Sequence, residues 1–230
     1  MPDLKIYRNN ELYLASTSTT TFEVPFEPLL MRVSQKHDNS NNDDKEAVQA
    51  SIGIADLRGS FKNYSTSYHM RNNRTEPDCG RISRTAQCLE LLNSSGTTVL
   101  LGKVTAVNNN GDGTWDIVIT HDTTNGGDKQ FHVEVFGDNV FEEFGIGSHT
   151  ILSTDSGLHD ITVGGTTGMN GLTPDMYWGF TGFNTGGGSL ANNARSCMYF
   201  GEDATSKQFV NTLVSRGNGT TTQNSDNWSR

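Results

Sequence analysis

The sequence lacks several features that would assign it to a class at once. Its 230 residues include only three cysteines, Cys79, Cys88 and Cys197, and none lies in a C-x-x-C spacing. An odd number of thiols excludes a fully paired disulfide framework, and the missing spacing excludes the common zinc and redox motifs. We therefore expect buried or free thiols in a protein made in a reducing cell.

Long apolar runs and an excess of basic charge are also missing. No run approaches the roughly 18 apolar residues of a spanning helix, and the first residues lack the basic and apolar regions of a signal peptide. Lys and Arg number 17 against 26 Asp and Glu, a net charge of −9. Binding to phosphate backbones depends on clustered Lys and Arg. We expect no membrane span, no secretion signal and no nucleic-acid partner.

The abundant residues are those of strands and turns. Gly, Asn, Ser and Thr are frequent, and no long stretch has the 3.6-residue period of an amphipathic helix. Hydrophobic residues make up 33% of the chain, which suffices for cores surrounded by polar loops. The composition predicts an all-β fold of antiparallel strands with little helix.

Turn residues between apolar runs predict three hairpins. An opening hairpin is expected where residues 5–7 and 11–14 flank Arg8-Asn9-Asn10. The clearest one lies in residues 99–120, around the Asn- and Gly-rich residues 108–113. An Asn125-Gly126 step predicts a third hairpin before the strand at 131–136. Alternation along the later strands predicts which residues face a core: Trp115, Ile117, Ile119, Phe131, Val133 and Val135.

A faint internal repeat organises the chain. Residues 51–75 align with residues 196–220 at a constant offset of 145, with Ser51, Lys62, Arg71, Asn73 and Thr75 matched by identical residues. The offset is too long for solenoid repeats of about 20 to 50 residues and indicates tandem domains. We predict two antiparallel β-sandwiches, at 15–138 and 139–230, preceded by an N-terminal hairpin or arm at 1–14.

The second copy is expected to be incomplete. Arg230 aligns with Thr85, after which the first copy continues for about fifty residues of strand-like sequence. A sandwich without its last strands exposes unpaired backbone and an apolar face, which more chain or a neighbour must cover. The alignment therefore predicts a homo-oligomer or a component of a larger assembly.

Several segments resemble a recurrent module of tailed-bacteriophage virion proteins. The second copy carries its glycine strand at 145–148, its proline element at 171–176, and an "F-G" element at 199–204 followed by Gln208. Leu172 stands where the module usually has Phe. The first copy carries the same scheme in more divergent form at Pro25-Phe26-Glu27-Pro28, Gly53-Ile54-Ala55-Asp56 and Gly111-Asp112-Gly113-Thr114-Trp115.

The resemblance implies a structural protein rather than an enzyme. It suggests a β-sandwich made in the bacterial cytoplasm and exposed on a virion head or tail, with other virion proteins as partners and no cofactor. The alternative is a host-receptor or carbohydrate-binding module on a phage tail, with a host-surface glycan as ligand. Tyr177, Phe183 and Trp228 are its candidate ligand contacts, because exposed aromatic rings bind sugars.

One loop has a partial calcium pattern. Asn108, Asn110, Asp112 and Asp116 occupy positions 1, 3, 5 and 9 of a twelve-residue loop of oxygen ligands. Position 12 falls on Ile119, which offers no side-chain oxygen. A glycine-rich hairpin turn explains the same residues, and we favour that interpretation.

The sequence contains no complete motif for catalysis, and no catalytic residue is predicted. The pairs His121-Asp122 and His159-Asp160 lack an accompanying nucleophile motif. Glu142 and Glu143 are adjacent, so on a strand they point to opposite faces and cannot flank one glycosidic bond. A polysaccharide-degrading enzyme would need convergent carboxylates that the pattern does not provide.

Overall fold

The structure is a computed structural model that describes residues 4–14, 18–38, 47–71, 79–92, 98–123, 129–141, 144–147, 176–184, 194–202, 207–216 and 224–229. Within these residues the chain is all-β and antiparallel, as the composition predicts. None of them forms a helix, so none forms one with the length and hydropathy needed to cross a bilayer.

The first ten strands form two antiparallel sheets. They are β1 (Ile6–Leu14), β2 (Thr19–Val24), β3 (Pro28–Asp38), β4 (Ala47–Asp56), β5 (Asn63–Arg71), β6 (Cys79–Arg84), β7 (Leu89–Leu92), β8 (Thr98–Asn109), β9 (Trp115–Thr123) and β10 (Lys129–Gly137). Sheet A has the order β1-β10-β3-β4-β5-β6, and sheet B has the order β2-β9-β8-β7. The chain crosses between the sheets four times, after β1, β2, β6 and β9.

The two sheets pack face to face around one apolar core. Every second residue of the facing strands is buried because successive side chains of a strand point to opposite faces. The core draws on both sheets, with fully or almost fully buried Val24, Met31, Val33, Leu89, Val104, Ile117, Ile119, Phe131, Val133 and Val135. The predicted alternation in residues 115–119 and 131–135 is confirmed, with Trp115 packed at the margin of the core.

Of the three predicted hairpins, one is confirmed and two are wrong. β8 and β9 pair across the 110–114 turn, as predicted. Residues 6–14 do not turn back but form the single strand β1, whose register shift between Asn9 and Leu12 absorbs the Asn-rich segment as a bulge. The strands on either side of Asn125-Gly126 lie in different sheets, so they form no hairpin. The turn residues 124–128 themselves lie outside the described part of the chain.

The segment after β10 folds back over the outer face of sheet A. Phe144 and Ile146 pack with Leu30 of β3, and Phe136 and Phe141 adjoin them. Arg58 holds this segment, since its Nη2 donates to the Phe144 carbonyl at 3.0 Å and its guanidinium lies 3.7 Å from the centre of the Phe144 ring. Residues predicted to open the second copy thus pack on the first sandwich.

A third sheet lies toward the C-terminus. It has the order β11-β12-β13-β14, from Met176–Asn184, Ala194–Glu202, Lys207–Arg216 and Asn224–Ser229. We call it the C-terminal sheet. Its strands β11 and β12 approach the edge strand β6 of sheet A to within 8 Å between Cα atoms.

The C-terminal sheet has the strand order of β3 to β6 in sheet A, and its last two strands match β5 and β6 at the offset of 145, whereas β11 and β12 are displaced from β3 and β4 by one to three residues more. Adding 145 to the first and last residue numbers of β6 gives those of β14. Adding 145 to Arg71, the last residue of β5, gives Arg216, the last residue of β13. The pairing differs by one residue, because Ser51 pairs with Ser67 whereas Ser196 pairs with Leu213. Residues 28–84 and 176–229 are therefore two four-stranded meanders of the same order.

Candidate functional site

The predicted calcium loop is a turn held by its own hydrogen bonds. Asp112 Oδ1 accepts from the backbone N and the Oγ1 of Thr114, at 2.9 and 2.7 Å. These bonds lower the pKa of Asp112, because both stabilise the charged carboxylate. Asn110 closes the turn by donating from its backbone N to the Thr114 carbonyl and from Nδ2 to Thr114 Oγ1, both at 3.0 Å. Asn108 and Asp116 are paired across the hairpin strands behind it.

The backbone of this loop explains its composition. Gly111 and Gly113 have φ values of 81° and 94°, in the left-handed region that glycine adopts without a steric cost. Gly111 N also donates to Asn109 Oδ1 at 2.7 Å. Across the described residues, no group of three or more His, Cys, Asp or Glu side chains is placed to hold a metal ion. The geometry fits the favoured interpretation of residues 108–116 as a hairpin turn.

The three predicted ligand contacts do not lie together. Tyr177 and Phe183 belong to β11, and Trp228 belongs to β14. These strands form opposite edges of the C-terminal sheet. Three strand spacings of about 4.8 Å separate them, so their backbones lie about 14 Å apart. Their backbone positions therefore do not build one shared platform.

Of the residues that were considered for catalysis, the structure describes the pair His121 and Asp122. His121 is buried on β9, with Nε2 3.0 Å from Thr20 Oγ1. Its pKa is lowered, mainly because burial disfavours the imidazolium, while Asp122 raises it in part. Residues 142, 143, 159 and 160 lie outside the described residues.

The buried Cys88 thiol has its pKa raised to about 12 by desolvation, so it stays protonated and unreactive.

Polar side chains of sheet A complete the edge of sheet B. We call the line where β7 and β8 meet β4 and β5 the seam. Ser67 Oγ donates to the Glu90 carbonyl at 3.2 Å and contacts Ser51 Oγ at 3.1 Å. Gly53 lies so close to β7 that a Cβ would stand 1.7 Å from the Cys88 carbonyl oxygen. Ser67 thus supplies a donor for a backbone carbonyl of edge strand β7, and Gly53 leaves the room for this close approach.

Asn63 continues the seam beyond the end of β7. Its Oδ1 accepts from Val104 N at 3.0 Å, and its Nδ2 donates to the Val104 carbonyl at 3.4 Å. The same Nδ2 donates to the Phe61 carbonyl at 2.5 Å. One buried amide thus takes the place of a neighbouring strand where β8 extends past β7.

A buried carboxylate lies near the end of the seam. Glu90 is fully buried, and its Oε1 accepts from Arg84 Nε at 3.1 Å, Arg84 Nη2 at 3.0 Å and Thr98 Oγ1 at 2.9 Å. The pair ties β6 to β7, where the chain crosses between the sheets. Because every polar contact of this carboxylate in the described residues is used to join strands, we read it as structural.

A cleft opens beside Asn63. It has a volume of about 350 Å³ and is lined by residues 60–64, 85–86 and 103–105. We call it the seam cleft. Its lining residues include Lys62, Lys103 and two half-buried aromatic residues. Phe61 packs against the core between the sheets, and Tyr64 packs with the Leu30 and Phe144 cluster on the outer face of sheet A. Sequence reasoning did not predict this concave surface.

Little in the sequence could have identified this cleft. Its lining comes from three separate segments, whose convergence depends on how β5 meets β8. The one local signal is Ser60-Phe61-Lys62, where an aromatic residue sits in a polar turn between two strands.

Comparisons with models of protein families, with curated proteins and with solved structures give no match.

Proposed function

We propose that this protein is a non-enzymatic structural component of a tailed-phage virion, exposed on the head or tail and held by protein–protein interfaces. The observation that carries the proposal is the second four-stranded meander. Its strand order is that of β3 to β6 in sheet A, and the bounds of β14 are those of β6 at the offset found in the sequence. This supports the tandem-module organisation on which the virion resemblance depends.

The packing of the sandwich supports a building-block role. Its two long sides are closed by its own side chains, at the seam and at the stack of Tyr7 on Phe22. Partners would then bind the outer faces and the C-terminal sheet, in interfaces of about 1,200 to 2,000 Å².

Immunogold electron microscopy tests the location directly. Antibodies raised against the purified protein are applied to intact virions of a phage whose genome carries this coding sequence. The proposal expects regular labelling of the head or tail. A phage lacking the gene is the control, and unlabelled particles beside abundant unassembled protein would overturn the proposal.

Native mass spectrometry tests the oligomeric assembly, and a glycan-hydrolysis screen tests the non-enzymatic part. We expect a stable homo-oligomer or a complex with other virion proteins, and no turnover of host polysaccharides. A stable monomer that binds no virion protein would contradict the structural role. Catalytic release of sugars by the intact protein would replace it with an enzyme.

The alternative, a host-receptor or carbohydrate-binding module, gains nothing from the predicted aromatic contacts, because Tyr177 and Trp228 lie on opposite edges of the C-terminal sheet.

A further inference from the structure

The β8–β9 turn contains two dipeptides of a chemically labile kind, Asn110-Gly111 and Asp112-Gly113. In such pairs the backbone N of the glycine can attack the side-chain carbonyl carbon of the preceding residue and close a succinimide ring. Glycine permits this attack because it has no side chain to hinder the approach. All of these residues are exposed. Composition and exposure alone would therefore make this turn a point of chemical damage.

Deamidation of Asn110 proceeds in two stages. First, Gly111 N loses its proton and bonds to Asn110 Cγ, while the Cγ–Nδ2 bond breaks and Nδ2 takes up the proton and leaves as ammonia. Then water adds to one carbonyl carbon of the ring and opens it, leaving aspartate or isoaspartate at position 110. The reaction therefore needs an accessible Gly111 N–H and an Asn110 side chain that can turn toward it.

The attacking nitrogen is engaged in the folded turn. Gly111 N donates to Asn109 Oδ1 at 2.7 Å, which is a short bond for a neutral pair. A hydrogen-bonded amide gives its proton to solvent only after the bond opens. The bond to Asn109 must therefore break before Gly111 N can act as a nucleophile.

The side chain under attack is also held in place. Asn110 Nδ2 donates to Thr114 Oγ1 at 3.0 Å and, over a longer distance of 3.5 Å, to Glu23 Oε2 on the neighbouring strand β2. Thr114 Oγ1 in turn donates to Asp112 Oδ1 at 2.7 Å, so the hydroxyl is fixed as an acceptor for the amide. Rotation of the Asn110 side chain toward Gly111 N would give up its bond to Thr114.

We infer that Asn110 is a latent deamidation site, which the hydrogen bonds of the folded turn protect and which reacts when the turn opens. Breaking one such bond slows a reaction by up to about tenfold, and the attack requires at least two to break. The product would also oppose the fold, because a carboxylate at position 110 would face Glu23 where the amide now donates. The inference does not depend on the virion role.

The same bonds act on Asp112-Gly113. Asp112 Oδ1 accepts from the backbone N and the Oγ1 of Thr114, and these bonds lower the pKa of Asp112. The side chain therefore stays charged, and a carboxylate anion is a poor target for a nucleophile. Isomerisation of Asp112 should also be slow in the folded protein.

Peptide mapping by mass spectrometry tests the inference. The intact protein is incubated in mildly alkaline buffer, with and without denaturing guanidinium chloride, and deamidation is followed over time. The chain has Asn-Gly steps at Asn110, Asn125, Asn170 and Asn218, so one digest reports on all of them. We expect comparable rates at these steps in the denatured chain, and a rate at Asn110 at least about tenfold lower in the native protein than in the denatured one.

Two variants assign the protection to named bonds. Asn109→Ala removes the acceptor of Gly111 N, and Thr114→Val removes the hydroxyl that accepts from the Asn110 amide. Each should raise the native-state rate at Asn110 by up to about tenfold. Thr105→Val is the matched control, because this exposed hydroxyl on β8 bonds to the next strand and not to the turn. Thermal unfolding confirms that each variant is folded at the incubation temperature.

Three results would overturn the inference. They are equal rates at Asn110 in the native and denatured wild type, unchanged native-state rates in both turn variants, and an equal increase in the Thr105→Val control. The first comparison needs no substitution, so it remains decisive if a variant does not fold. Failure would leave the virion proposal untouched, because labelling of particles does not depend on the chemistry of this turn.

Discussion

The two long sides of the sandwich are closed by different chemistry. On one side, edge strands β1 and β2 meet through aromatic packing, with the rings of Tyr7 and Phe22 stacked at 6.1 Å between centroids. On the other side, the seam, β7 and β8 meet sheet A through Ser67, Gly53 and Asn63. One side excludes water with apolar surface, and the other supplies missing backbone partners.

The difference determines what each side tolerates. Aromatic packing depends on area and adapts to modest changes of shape. A hydrogen bond contributes little net stability when it is made, but a buried backbone group left without a partner costs about 1 to 3 kcal/mol. Substitutions that remove or add a few atoms should therefore lower the free energy of unfolding more at the seam than on the aromatic side.

Gly53→Ala should have the largest effect. Its Cβ would lie 1.7 Å from the Cys88 carbonyl oxygen, so β7 must move away from sheet A. We expect a loss of about 3 kcal/mol in the free energy of unfolding, measured by urea denaturation.

Gly59→Ala is the matched control for this substitution. A Cβ at Gly59 meets no atom within 4 Å, so only its left-handed backbone opposes the change, at about 1 kcal/mol. Equal losses for the two variants would show that the seam is not tightly packed.

Asn63→Ala should come next. It leaves both the N and the carbonyl of Val104 without the partner seen in the structure, at an expected loss of about 2 kcal/mol. Hydrogen exchange should show faster exchange of the Val104 amide. Thr105→Ala, which removes an exposed hydroxyl from the next residue, is the comparison. Unchanged protection at Val104 would mean that Asn63 does not act as a strand substitute.

Phe22→Leu should cost about 1 kcal/mol on the aromatic side. The variant keeps an apolar side chain at the core margin but loses the stack on Tyr7. Chemical denaturation measures the change, and Tyr7→Leu should give a similar loss that is not additive with it. A loss larger than that of Asn63→Ala would reverse the proposed contrast between the sides.

The smallest effect is a pH dependence on the β2 side. Burial lowers the folded-state pKa of His121 below its ordinary value of 6.5. The unfolded chain then binds the proton more readily, so the stabilisation is complete above pH 6.5 and is lost as the pH falls toward the folded-state pKa.

His121→Asn removes this titration while keeping a polar group near Thr20. Urea midpoints measured from about pH 7.5 to pH 5 should fall more steeply for the wild type than for the variant. The carboxylates are shared by both proteins, so their contribution cancels in the difference. Parallel curves would show that His121 is not responsible.

Strand periodicity predicted much of the core. Ile117, Ile119 and Val133 are among its fully buried residues, as alternation required, because a half-buried strand must place apolar residues at every second position. The β8–β9 turn was readable for a similar reason, since only glycine readily takes the φ values at Gly111 and Gly113.

Strand pairing was predicted less well. Asn9-Asn10 and Asn125-Gly126 suit tight turns in any chain, yet the first lies within β1 and the second joins strands of different sheets. Turn propensity describes local backbone preferences only. Whether two strands pair depends on which sheet each completes, and that requires contacts between distant residues.

The sequence by itself determined the strand class and the alternating core residues, because these depend on local periodicity. Only the tertiary structure decided the seam and its cleft. Asn63, Ser67 and Gly53 are ordinary strand residues in the sequence, and they acquire their roles because β7 and β8 approach them from the other sheet. Their partners are backbone groups, which carry no signature in the amino-acid sequence.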